Sequence, residues 1–286
     1  MKIILSRKGF DSGYGGVPSP VFPDGRLLSL PIPSPAGLPA KACRFEGQTF
    51  GDIVQDLTAG KLSATTLVHL DPDLEASAIP RRPGWRPAFG QVGAAQAHLR
   101  NQGVGAGDLF LFFGWFQRVS LQAGAWRRLP YEPCFHALFG WLQVDQLIDV
   151  EARPIALRPQ WLADHPHIAH AHRFAGEGNT IYLGRRHLSM GSSVGAVSGG
   201  GAFRRWSPAL RLTAQGQTRS VWSVPSWLEP RGGRTPLSYH SRPERWVKRG
   251  DELLLRSVAK GQEFLLDTED YPEAIGWARN LIEEHS

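Results

Sequence analysis

His69 and Asp71 stand two residues apart in Val68-His69-Leu70-Asp71-Pro72-Asp73, a spacing that puts both side chains on one side of an extended chain. An imidazole and a carboxylate so placed can supply two ligands of a facial metal triad, completed by a distant histidine and leaving coordination positions open for substrate and oxygen. Fe(II) is the metal expected of that donor set. His136, in Phe135-His136-Ala137, and His240, in Ser238-Tyr239-His240, are the candidates for the third ligand. The pattern His-x-Asp also arises by chance, and a histidine beside aromatic residues is often a hydrogen-bonded core residue, so spacing alone leaves both readings open.

A second concentration of imidazole is formed by His165, His167, His170 and His172, with Asp164 alongside. Neutral imidazoles suit several divalent ions. Pro166 predicts an extended first pair, and the His-Glu-x-x-His arrangement of a zinc protease is missing. The competing reading is a polar surface loop whose histidines titrate freely.

Asp11 occupies a glycine-rich turn running from Gly9 to Gly16. A carboxylate held there could act as a general base or bind a ribose or base edge; the alternative is an Asx-turn. The turn has neither P-loop nor dinucleotide-binding spacing, and Pro18 and Pro20 oppose a following helix, so nothing points to ATP or NAD. Arginine and tryptophan interleave at Arg82, Trp85 and Arg86 and again around Arg204 and Arg205. Guanidinium groups hold phosphates while aromatic faces stack on unpaired bases, which makes these five residues candidates for a nucleic-acid surface. Ordinary cation–π packing is the alternative.

The elements that must position these residues are short. Residues 2–6, 109–115, 179–183, 210–213, 220–224 and 263–266 read as strands by their apolar, β-branched or aromatic content and bounding turns. Thr49 can cap a helix through residue 57, residues 89–101 read as a longer one ended by Gly103, and Asp270 with Glu273 resembles a capping box at the head of a C-terminal helix. Together they predict an α+β fold: a single mixed domain over residues 1–286 with many short strands, several helices and a C-terminal helix. The 286 residues are 42% hydrophobic and 20% charged, near the averages for globular chains, which excludes collagen-like, coiled-coil and disordered classes.

Six lysines and 26 arginines make a net charge of +6, suggesting a phosphate-bearing partner, although codon bias toward arginine would give the same balance. Two distant cysteines and an apolar start too short for a secretory signal predict a reduced, cytoplasmic protein. The longest apolar run, from Leu109 to Phe116, falls well short of the roughly 18–20 residues that span a bilayer. No membrane partner is expected.

Several of these stretches together resemble the nucleotide modification associated domain 3 family, described as DNA base hypermodification proteins of bacteria and phages. The resemblance rests on Ser6-Arg7-Lys8-Gly9-Phe10-Asp11-Ser12, Pro18-Ser19-Pro20, His69-Leu70-Asp71-Pro72-Asp73 and Gly107-Asp108-Leu109-Phe110-Leu111-Phe112-Phe113-Gly114-Trp115. It continues through His136 with Phe139-Gly140-Trp141, His165-Pro166-His167 and Ser238-Tyr239-His240. It implies a pathway, DNA or nucleotide modification, without naming a reaction.

The expectation is an oxidoreductase-like enzyme that modifies a base at a mononuclear Fe(II) centre, with 2-oxoglutarate as a co-substrate such a centre would admit. His69, Asp71 and either His136 or His240 would hold the metal, with Asp11 and His136 near the substrate. Two other readings compete with it: a nucleic-acid-binding module without catalysis, and a transferase acting on an already modified base.

Overall fold

The computed structural model describes residues 1–190 and 193–286. Its centre is a mixed nine-stranded sheet whose main path runs, in spatial order, Glu263–Asp267, Lys2–Arg7, Leu109–Gln122, Phe135–Asp149, Thr180–Gly184 and Ala88–Gln91. Lys2–Arg7 lies parallel to Leu109–Gln122 and antiparallel to Glu263–Asp267. Side chains alternate along a strand: Leu109, Leu111 and Phe113 join one hydrophobic cluster, while Phe110, Phe112 and Phe116 join another. The sheet is therefore buried on both faces, which is why this stretch is apolar at nearly every position.

Helices cover those faces by their apolar stripes. The C-terminal helix α4 (Glu273–His285) presses Ala274, Ala278, Leu281 and Ile282 onto the first cluster. Leu99 of α2 (Gly93–Asn101) enters the second. A third cluster gathers Ile53, Val54 and Leu57 of α1 (Phe50–Leu57) with Val68 and Leu70, which anchors the segment carrying His69. Among the described residues, no helix is long and apolar enough to cross a membrane.

The mixed α and β character and the C-terminal helix match the reading from sequence, but three local expectations are corrected and one long strand is additional. Residues 89–101 are not one helix: Ala88–Gln91 pairs with Thr180–Gly184, and α2 begins only at Gly93, which turns the chain at φ +61°. Residues 210–213 form no strand; a short 3₁₀ turn, Pro208–Leu210, leads into isolated bridges at Arg211 and Thr213. Asp270 does not cap α4, because its carboxylate accepts from the Thr235 amide at 2.9 Å and the helix starts without a side-chain cap. Phe135–Asp149, at 15 residues, went unread as a strand.

Candidate metal centre

His69 follows the two-residue strand Leu67–Val68, which pairs with Pro33–Pro39. At Gly37 a Cβ would fall 2.2 Å from the Val68 carbonyl oxygen, so only glycine lets the two backbones approach this closely. That approach brings the Ala36 carbonyl 2.8 Å from His69 Nδ1. A carbonyl only accepts, so the His69 ring proton sits on Nδ1 and leaves a lone pair on Nε2.

The cluster closes through a segment nearly 100 residues away. Pro166 does not extend the chain as expected: it opens the four-residue helix α3 (Pro166–Ala169), with His165 at the N-cap, its Nδ1 accepting from the His167 amide at 3.3 Å. His167 Nδ1 lies 2.7 Å from Asn179 Oδ1, and Asn179 Nδ2 donates to the His167 carbonyl at 2.9 Å. Phe174 stacks on the His167 ring at 4.6 Å.

Both outer histidines thus turn Nε2 toward Asp71, at 3.8 Å from Oδ2 for His69 and 3.6 Å for His167. The other carboxylate oxygen, Oδ1, accepts from the Gly90 amide at 2.8 Å and faces His165 Nε2 at 3.4 Å. With its Nδ1 already accepting, His165 carries its proton on Nε2 and supports the carboxylate from the side. One ligand atom each from His69, Asp71 and His167 lie within 4.8 Å of one another.

Burial would raise the Asp71 pKa, but His165 facing the carboxylate and the adjacent imidazoles hold it down to about 2. Burial depresses the His167 pKa to about 4 and also lowers that of His69, against the pull of Asp71. An anionic carboxylate and two neutral imidazoles with inward lone pairs could hold a divalent metal ion.

His136 and His240 are not in this cluster. His136 Nδ1 accepts from Trp222 Nε1 at 3.1 Å. His240 contacts the Ser238 carbonyl through Nδ1 and accepts from the Val258 amide through Nε2, so both its nitrogens are engaged. His167 replaces them in the geometry. Asp11 does form an Asx-turn, its Oδ1 accepting from the Gly13 and Tyr14 amides at 2.7 Å, yet it also lines a cavity with His136.

The nucleic-acid candidates are partly engaged within the protein. Arg82 pairs with Asp164, Arg86 with Asp145, and Trp85 donates to Asp73 while the Arg81 guanidinium covers its ring at 4.5 Å. Arg204 and Arg205 are exposed, with Arg205 donating to the Asp24 carbonyl.

Sequence reading also missed a buried polar group beside Gly90. Glu263 Oε1 accepts from Gln91 Nε2 at 2.6 Å and from Lys8 Nζ at 2.8 Å, while Oε2 has no partner among the described residues. Glu263 stood out only as the start of a strand, and nothing local announces its burial.

A family model for nucleotide modification associated domain 3 matches residues 2–267. The chain belongs to that family. Comparisons with the curated proteins and with the solved structures found no match. In this member of the nucleotide modification associated domain 3 family, the match spans all three segments that build the His69, Asp71 and His167 cluster.

Proposed function

We propose that the protein is a metal-dependent enzyme that modifies a nucleobase, on DNA or as a nucleotide, and that His69, Asp71 and His167 hold the ion, Fe(II) in this reading. The observation that supports it is the convergence of two imidazole lone pairs on the buried Asp71 Oδ2. Among the described residues no lysine or arginine pairs with that carboxylate. A buried charge of this kind is costly unless a cation meets it.

A divalent ion bound there would supply the missing charge and open positions for dioxygen and a co-substrate such as 2-oxoglutarate, which is the chemistry of base oxidation. The chain's own residues do the positioning. Ala36 and Asn179 keep the Nε2 atoms of His69 and His167 free of protons, Gly90 and His165 orient the carboxylate, and Phe174 walls the cluster on one side.

Metal analysis of protein purified without a histidine tag tests this. About one equivalent of iron is expected, lost in His69→Ala and His167→Ala and kept in His240→Ala. Full retention of the metal by His167→Ala would remove that residue from the site and defeat the reading.

A further inference from the structure

We propose that the cavity between Arg7, Arg219, His136 and Trp115 is an oxyanion subsite that takes a phosphate of the nucleotide substrate. The cavity has a volume of about 300 Å³, and Asp11 stands among its lining residues. Neither Arg7 nor Arg219 is ion-paired among the described residues. Arg7 uses one terminal nitrogen to donate to the Ala259 and Gly261 carbonyls, which fixes the guanidinium and leaves its remaining N–H groups. The Arg219 guanidinium lies over the Trp115 ring at 4.4 Å.

Two neutral donors complete the set. Trp222 donates to His136 Nδ1, so the neutral His136 ring carries its proton on Nε2. Burial and the positive charges of Arg219 and Arg7 push its pKa down to about 3, so it stays neutral and can donate. The Trp115 indole N–H is buried and has no acceptor among the described residues, and a buried donor left without a partner is rare unless a ligand or water supplies one.

The backbone is arranged to hold these groups together. The Thr213 hydroxyl accepts from the His136 amide at 2.8 Å and donates to the Arg219 carbonyl at 2.8 Å. One buried oxygen thereby fixes the relative positions of two cavity residues more than 80 positions apart in sequence. Two guanidiniums and two neutral N–H groups, opposed only by Asp11 at the lining, favour an anion with several acceptor oxygens.

The choice of phosphate rests on the nucleotide reading above, whereas the donor set itself requires only an oxyanion. Calorimetric titration of the full-length protein compares deoxynucleoside 5′-monophosphates, the matching nucleosides, inorganic phosphate, succinate and a single-stranded tetranucleotide. The monophosphate should bind at least about tenfold more tightly than its nucleoside. Arg219→Gln should abolish that preference while leaving the melting temperature and metal content unchanged, and Trp115→Phe should reduce it.

Competition between the tetranucleotide and the monophosphate for one site supports the subsite and assigns its phosphate to a DNA strand; binding of the monophosphate alone supports it for a free nucleotide. Equal binding of nucleoside and monophosphate, a preference that survives Arg219→Gln, or no binding of any phosphate compound overturns the proposal. Binding of succinate but not phosphate overturns it too and counts against the nucleotide reading, while metal retention by these variants leaves the His69, Asp71 and His167 centre standing.

Discussion

Asn179 grips His167 at both ends, its amide oxygen 2.7 Å from the ring Nδ1 and its amide nitrogen 2.9 Å from the main-chain carbonyl. Such partners fix the tautomer and orientation of a ligating imidazole, and their loss commonly costs about 10–100-fold in metal affinity. Asn179→Ala should show a loss of that size in a metal-competition titration, with the fold retained. Unchanged affinity would mean that His167 is held by Phe174 alone.

Gly90 offers a sharper probe of the same cluster. A Cβ there would lie 2.3 Å from the His167 ring, and its amide is the donor to Asp71 Oδ1. Gly90→Ala must therefore displace His167, with an overpacking cost of about 1–3 kcal/mol. Metal stoichiometry should fall well below that of the wild type, and a denaturant melt should report the lost stability. A variant that binds metal normally would show that the ring can move without leaving the site.

How much of this could be read in advance depended on distance along the chain. The His69 and Asp71 pair was legible because a two-residue period places side chains on one side of an extended segment. The third imidazole was not, since its choice depends on which distant segment the sheet brings near. His136 and His240 have aromatic neighbours as a ligand might, but Trp222 takes up His136 Nδ1, and Ser238 and Val258 take up both nitrogens of His240. The helix expected from residue 89 failed for a related reason: Phe89 is wanted in the core beside Phe110 and Tyr182, and tertiary packing overrides local propensity.

Stability should fall on acidification. The His136 pKa is pushed down to about 3 by burial and by Arg219 and Arg7, against about 6.5 in an unfolded chain. Between those values the unfolded state binds a proton that the folded state refuses, so stability present at neutral pH is lost as pH drops below about 6.5. The slope approaches about 1.4 kcal/mol per pH unit for this group, and His240, lowered to about 4 by burial, adds in the same direction. Urea melts from pH 7.5 to 5 should show a shallower dependence in His136→Gln than in the wild type. Identical slopes would mean that His136 takes up its proton without unfolding.

The Lys8–Glu263 pair is a separate test of the interior. Its side chains are 11% and 1% exposed, and removing one partner of a buried pair typically costs about 3–5 kcal/mol. Lys8→Met should lose stability in that range by urea unfolding. Adding Glu263→Gln should restore part of it, because the stranded charge goes with the carboxylate; a double variant no better than the single would place the cost in the lost contact of the Lys8 ammonium with the Phe89 ring.

The first strand of the chain is held between residues 109–113 on one side and residues 263–267 on the other, and Arg7 donates to carbonyls at positions 259 and 261. During synthesis residues 2–7 must therefore wait unpaired on this side until residues 259–267 have followed. Until then Lys2–Arg7 has one edge unpaired, and neither the Arg7 cavity nor the Lys8–Glu263 pair can exist. Closure of the sheet at this edge is in this sense gated by the arrival of residues 263–267, and an edge left open until then is a template for unwanted pairing.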